Sequence, residues 1–102
     1  MPWKVIIQSP DTERTEIEVK PGKSTLGRMP DHDIVIADEA ASRTHATLEL
    51  DDDDQLVLHD EGSTNGTFVN GRRVAGSFLG DGDRVRLGEV ELEFRVGRLE
   101  ES

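Results

Sequence analysis

The sequence of 102 residues contains no cysteine, so disulfides and thiolate zinc sites are unavailable to it. Aromatic residues are scarce, because three phenylalanines and one tryptophan are the whole supply for a core. Basic residues are outnumbered 12 to 22 by acidic ones, which gives a formal net charge of −10. General binding to DNA or RNA requires many Lys and Arg contacts to phosphates, and this charge balance argues against it.

Long hydrophobic runs are also missing. No segment is long and apolar enough to span a membrane, and the first residues enter strand-like sequence without the charged leader and apolar run of a signal peptide. We therefore expect a cytoplasmic domain with no membrane insertion. The length suits a single domain, and a hydrophobic content of 33% permits a core of modest size.

Short strand-like segments separated by turn residues fill the chain. No window has a long apolar pattern with the 3.6-residue period of a helix, and only residues 38–41 could form a helical turn. The pattern predicts an all-β fold, an antiparallel β-sandwich, over residues 1–97, followed by a flexible tail of residues 98–102. The segments predicted as strands are 4–8, 15–19, 24–26, 34–36, 45–50, 56–58, 67–69, 72–74, 78–79, 84–87 and 90–96.

The stretch from Glu61 to Gly71 is unusually rich in turn residues. It contains two Asn-Gly pairs, which favour tight turns because both residue types tolerate positive φ. Between the pairs, residues 67–69 have β-branched and aromatic side chains typical of a strand. Residues 63–65 place polar side chains on the loop before it. The stretch is therefore either a plain hairpin connection or a functional loop on a stiff frame.

Two apparent ligand motifs are incomplete. Residues 22–24 read Gly-Lys-Ser, like the end of a phosphate-binding P-loop, but Ile17 stands where that motif needs its first glycine, and no helix follows. Residues 51–54 are four aspartates, but Leu56 occupies the sixth position, where a calcium-binding EF-hand loop needs glycine. We therefore predict no cofactor and no metal site, and interpret the aspartates as a solvated turn that discourages edge-to-edge aggregation.

Ser42, His45 and Asp60 have the residue types of a hydrolase triad. However, the sequence has no Gly-x-Ser-x-Gly elbow, and Ser42 and His45 lie on one local segment. Hydrolysis therefore remains only as a minor alternative. The preferred prediction is a domain with no catalytic residues.

Five fragments together indicate a family: residues 27–28, 33–36, 42–46, 63–71, and 79–85 with 87–88. In order and spacing they resemble the forkhead-associated (FHA) domain, and the resemblance runs from about Val5 to Val96. It implies an FHA/SMAD-like β-sandwich of about eleven short strands, whose loops at one end bind phosphothreonine peptides. The implied partner is a phosphorylated Ser/Thr kinase or a substrate of one.

The resemblance assigns a role to each matching residue. It implies that Arg28, Ser42 and Arg43 contact the phosphate. Arginine suits this role because its planar guanidinium keeps its charge, and a serine hydroxyl can rotate to complete the set of donors. Thr64 would support the phosphate or the threonine methyl group, and Asn65 would hydrogen-bond the peptide backbone. Three further residues are expected to hold the loops rather than touch the ligand: Gly27, His45 and Gly66.

Three questions of specificity remain at this stage. A domain of the same fold could bind its partner without phosphate. Arg72 and Arg73 either extend the positive rim of the site or are ordinary exposed charges. The acidic surface should disfavour peptides with many acidic residues around the phosphothreonine. The resemblance also implies that selection of an acidic downstream residue can use a basic side chain in the loop before Ser42; residues 38–41 include none, so we expect the selected downstream residue not to be acidic.

Overall fold

The computed structural model describes residues 2–9 and 12–97. Its strands confirm the predicted all-β class and the expected number of elements. The predicted tail, residues 98–102, lies outside the described residues. The eleven strands are β1 Trp3–Ser9, β2 Thr12–Val19, β3 Gly22–Gly27, β4 Ile34–Val35, β5 Ala46–Leu50, β6 Leu56–Asp60, β7 Thr67–Val69, β8 Arg72–Arg73, β9 Gly76–Leu79, β10 Arg84–Leu87 and β11 Val90–Val96.

The strands form two sheets. The six-stranded sheet has the order β2-β1-β11-β10-β7-β8, and the five-stranded sheet has the order β4-β3-β5-β6-β9. Among the described strands, neighbours pair antiparallel except β3 and β4, which run parallel with Leu26 opposite Ile34. This pair differs from a purely antiparallel sandwich. It forms because Asp33 folds back onto β3, where its Oδ2 accepts the backbone N–H of Thr25 at 2.8 Å.

Alternation along the strands places apolar side chains between the sheets. Leu48 and Leu58 of one sheet and Val85, Leu92 and Phe94 of the other are completely buried. Each such side chain contributes roughly 1.5–3 kcal/mol when it leaves water. Leucine and valine therefore supply most of the core that the few aromatic residues cannot fill.

The run of aspartates forms the tight turn between β5 and β6. Asp51 Oδ1 accepts the backbone N–H groups of Asp53 and Gln55 at 2.8 and 2.9 Å. Trp3, 5% exposed, donates its indole N–H to the carbonyl of Asp54 at 2.9 Å and so ties this turn to β1. Within the described part of the chain, no helix is long and apolar enough to cross a membrane.

Three loops meet at one end of the sandwich. They are the segments 28–33, 36–45 and 61–66, which leave β3, β4 and β6 respectively. The segment that could have formed a helical turn contains a single tight turn instead, in which the Ala41 N–H bonds to the Asp38 carbonyl at 3.0 Å. The two sheets, packed through their common core, thus form the frame that supports three polar loops at one end.

Candidate functional site

An open polar cleft of about 560 Å³ lies where the three loops meet. The structure brings to it every side chain for which ligand contact was predicted. It is lined by Arg28, Glu39, Ala40, Ala41, Ser42, Arg43, Thr44, Gly62, Thr64 and Asn65.

Arg28 is aimed by the loop opposite it. Its backbone N–H donates to the Ser42 carbonyl at 3.0 Å, and its side-chain Nε donates to the Ala41 carbonyl at 3.1 Å. The terminal amino groups of the guanidinium have no partner among the described residues. Two amino groups of a positioned, permanently charged guanidinium are therefore available to a ligand in the cleft.

Ser42 connects two of the loops through its hydroxyl. Its Oγ accepts the backbone N–H of Thr64 at 3.0 Å. No acceptor within residues 2–9 and 12–97 takes the hydrogen of this hydroxyl, so the O–H can donate to a ligand. Arg43, the next residue, is exposed and makes no ion pair with any described carboxylate.

His45 fixes the same junction from below. Its ring is completely buried, and Nδ1 accepts the backbone N–H of Ser42 at 3.0 Å. Because that N–H can only donate, Nε2 carries the proton and donates to the Gly66 carbonyl at 3.0 Å. Both ring nitrogens are therefore engaged with backbone groups, and neither is available as a base for the Ser42 hydroxyl.

Gly27 permits a close approach of backbone to backbone. A Cβ built at this position would overlap the Arg43 carbonyl oxygen and would come within 2.6 Å of the His32 ring. His32 in turn donates from Nε2 to the same carbonyl at 2.6 Å. Glycine at position 27 and histidine at position 32 together set the path of the chain that carries Arg43.

Asn65 spans the mouth of the cleft. Its Nδ2 donates to the Ala40 carbonyl at 2.8 Å, while its Oδ1 accepts no bond from the described residues. Gly66 follows with φ +90°, a left-handed conformation that glycine adopts without strain. The pair therefore turns the chain into β7 and leaves the amide oxygen of Asn65 free for a ligand.

Asp60 organises the loop that carries Thr64 and Asn65. Its Oδ2 accepts the backbone N–H groups of Gly62 and Ser63, both at 3.1 Å. Its Oδ1 accepts the hydroxyl of Thr67 at 2.7 Å and the hydroxyl of Ser63. Partial burial raises the pKa of Asp60, but the hydrogen bonds from Ser63, Thr67 and Gly62 outweigh it and leave this pKa below its ordinary value.

Residues 24–88 match the family model of the FHA domain. The chain belongs to the FHA domain family. This chain is 46% identical over 82 residues to an ABC transporter ATP-binding/permease protein of Mycobacterium tuberculosis. The aligned residues cover 80% of this chain and 9% of that protein. The chain spans less than half the length of the first curated relatives it matches.

Solved FHA domains share the fold over nearly the whole chain. The FHA domain of the CT664 protein from Chlamydia trachomatis superposes with a TM-score of 0.88 at 26% identity, covering 96% of this chain and 100% of that one. A second FHA domain, studied for phosphothreonine-dependent interactions, has a TM-score of 0.82 at 33% identity. The match covers 94% of this chain and 99% of that one.

Sequence reasoning missed two positioning residues of this FHA domain. Asp60 was considered only as a member of a possible hydrolase triad, and His32 lies in a segment for which the sequence predicted no strand and no role. A signal was present for Asp60, because an Asp followed by Gly and Ser at the second and third positions is typical of a side chain that caps its own turn. No local signal identifies His32, whose partner Arg43 is eleven residues away.

Proposed function

We propose that this FHA domain binds phosphothreonine in a partner protein, a Ser/Thr kinase or a substrate of one, in the cytoplasm. In this proposal the guanidinium groups of Arg28 and Arg43 and the hydroxyl of Ser42 hold the phosphate. Thr64 supports the phosphate or the threonine methyl group, and the amide of Asn65 bonds the peptide backbone. We propose no catalytic role for the domain.

One observation carries the proposal: Arg28, Arg43 and Ser42 converge on one cleft of a molecule whose net charge is −10. Among residues 2–9 and 12–97, neither arginine has a carboxylate partner and the Ser42 hydroxyl donates to no acceptor. Each charge-assisted hydrogen bond to a phosphate contributes about 1.5–3 kcal/mol. Two or three of them suffice for a micromolar complex of about −8 kcal/mol after the cost of association. Global repulsion is screened beyond about 8 Å at physiological salt, so the local arginines dominate.

The relatives support the same function. The FHA domain with 33% identity is one whose interactions depend on phosphothreonine. The remaining alternative is a domain of this fold that binds its partner without phosphate, through a sheet face or another loop. The hydrolase alternative loses support, because His45 is fully engaged with backbone groups.

The test is a calorimetric titration with a phosphothreonine peptide and its unphosphorylated twin. We expect binding of the first alone, weakened about tenfold or more by Arg28→Ala and by Ser42→Ala. Arg14→Ala, a change at an exposed arginine of β2, serves as the control and should bind as the natural sequence does. Equal binding of the two peptides would favour the phosphate-independent alternative.

A further inference from the structure

A row of cationic and aromatic side chains crosses the outer face of the six-stranded sheet. Phe68 of β7 lies opposite Arg73 of β8 on one side and opposite Arg86 of β10 on the other. Both arginines are exposed. Val69, which follows Phe68, and Val85, which precedes Arg86, pair with each other and point to the opposite side of the sheet, into the core. We call Arg73, Phe68 and Arg86 the basic ladder.

The ladder is held in place but its charges are not neutralised. The Arg86 guanidinium carbon lies 4.7 Å from the centre of the Phe68 ring, a cation–π contact. On the other side, the Arg73 side chain packs so closely on Gly66 that a Cβ there would come within 2.8 Å of its Nε. Neither arginine forms an ion pair within the described part of the chain.

A neighbouring arginine has the carboxylate partner that the ladder arginines lack among the described residues. Arg84 lies on the same outer face of β10 and pairs with Glu91 at 3.2 Å. Among the described residues, Arg84 and Arg95 are the arginines paired with a described carboxylate, Glu91 and Glu93 respectively. Arg73 and Arg86 flank Phe68 and have no such partner among the described residues, so they form a local cationic surface on an aromatic support that suits carboxylates from outside the molecule.

The surface beside the ladder is concave. A hollow of about 250 Å³ is lined by the Asn70-Gly71 turn and by Phe68, Arg84, Val85, Arg86 and Glu91. The Glu91 carboxylate in this lining is paired with Arg84. Gly71 contributes no side chain, so a ligand can approach the Phe68 ring from that side. The ladder therefore offers a bound segment both cationic groups and room for a side chain.

The ladder is continuous with the phosphate cleft. Arg73 contacts Gly66, and Gly66 directly follows Asn65 at the mouth of the cleft. Adjacent strands lie about 4.8 Å apart, so the ladder is roughly 10 Å wide. An extended peptide advances about 3.3 Å per residue and crosses the ladder in about three residues. If about three residues, or roughly 10 Å, are allowed for leaving the cleft, and about three or four for crossing the ladder, the residues over the ladder stand about four to seven positions from the phosphothreonine.

We propose that the basic ladder binds an acidic segment of the same phosphorylated partner, located about four to seven residues from the phosphothreonine. The proposal rests on the proposed function, since the phosphothreonine in the cleft fixes where the segment lies. The immediate surroundings of the phosphate remain unsuited to acidic residues, because Glu39 lines the cleft itself. Recognition then depends on where the acidic residues stand, not only on how many there are.

The test compares three phosphothreonine peptides of equal length by fluorescence anisotropy at low salt. One has neutral flanks, and the other two carry four consecutive Glu residues starting four residues before or four residues after the phosphothreonine. We expect one of the acidic peptides to bind about three- to tenfold more tightly than the neutral one, as two exposed ion pairs would provide. The gain should fall as salt rises.

The variant Arg73→Gln/Arg86→Gln removes the ladder charges but leaves the cleft residues intact. It should bind the neutral peptide within about twofold of the natural sequence and lose the acidic gain. Arg14→Gln/Lys23→Gln removes the same charge from exposed positions on β2 and β3 and should keep the gain. Loss of the gain in both double variants would show a general charge effect and overturn the proposal.

The outcomes separate the two proposals. If no phosphopeptide binds the natural sequence, the proposed function itself fails. If the neutral phosphopeptide binds and neither acidic peptide binds more tightly, only the ladder proposal fails. A ten-nucleotide single-stranded DNA that binds the natural sequence and not Arg73→Gln/Arg86→Gln would assign the ladder to nucleic acid and likewise overturn it.

Discussion

Replacement of Asp60 should reveal how much of the binding loop depends on one carboxylate. In Asp60→Ala, four hydrogen bonds to the loop are lost: two from backbone N–H groups and two from hydroxyls. A typical bond contributes about 0.5–1.5 kcal/mol, and water replaces part of the loss at the exposed Gly62. We therefore expect the free energy of unfolding to fall by about 2–4 kcal/mol, which is tolerable for a domain of this size.

Asp60→Asn should have a smaller effect. The amide keeps one acceptor for the fixed N–H groups of Gly62 and Ser63, and the hydroxyls of Ser63 and Thr67 can rotate to accept from its NH₂ group. What is lost is the negative charge, at a cost of about 1–2 kcal/mol. Urea denaturation followed by tryptophan fluorescence should therefore rank the midpoints as natural sequence, then Asp60→Asn, then Asp60→Ala.

The pH dependence gives a sharper test. The pKa of Asp60 is lowered in the folded state, so its carboxylate stabilises the fold fully above the ordinary value of about 3.9. This stabilisation is lost as pH falls through the lower, folded value. The difference in unfolding free energy between the natural sequence and Asp60→Asn should therefore narrow between about pH 5 and pH 2. A difference that stays constant over this range would refute the reasoning.

Binding should follow stability, because Thr64 and Asn65 lie on the loop that Asp60 orders. We expect Asp60→Ala to weaken capture of a phosphothreonine peptide at pH 7 by roughly five- to tenfold, since ordering the loop then accompanies binding. Asp31→Ala removes the same charge from an exposed residue without hydrogen bonds to the described residues, and it should change neither quantity. Unchanged binding in Asp60→Ala would show that the loop keeps its shape without this carboxylate.

Three further predictions concern the cleft. Gly27→Ala should sharply lower the urea midpoint and abolish phosphopeptide binding, because its Cβ would overlap the Arg43 carbonyl. Gly80→Ala should be tolerated, because the Asp83 carboxylate at 3.7 Å is the nearest group that its Cβ would meet among the described residues outside its chain neighbours. A peptide with Lys flanking the phosphothreonine should bind more tightly than one with Asp, and tighter binding of the Asp peptide would contradict this. Glu39→Gln should reduce the preference for Lys, whereas the control variant Glu89→Gln should not. Replacing phosphothreonine by phosphoserine should weaken binding by no more than about 10–200-fold in calorimetry, the contribution of one methyl group, and a larger loss would require another cause.

Local chemistry made several features predictable from the sequence. The Asn70-Gly71 pair forms the predicted tight turn, with φ values of +50° and +85°, and joins β7 to β8. Likewise, Gly88 has a φ of +63° in the turn between β10 and β11. Such turns depend on the φ preferences of two residues, which the sequence displays directly.

Long-range contacts were not accessible in the same way. The parallel pairing of β3 with β4 depends on Asp33 bonding Thr25 across an irregular loop, and no periodicity announces it. The convergence of Arg28, Ser42 and Asn65 was expected only because the fragments resembled a known family. The basic ladder arises from the register of β7, β8 and β10. Sequence reasoning could not see this register, so it left open whether Arg73 extends the positive rim of the site or is an ordinary exposed charge.

The bonds from Asn65 to Ala40 and from Thr64 to Ser42 fasten two recognition loops to each other in the absence of any ligand. The conformational entropy of these loops is therefore lost during folding and not at the moment of association. A partner then meets a surface of nearly final shape, so its arrival rate should be governed by diffusion and charge steering. Differences in affinity among phosphorylated sequences should accordingly appear in how long each one stays bound.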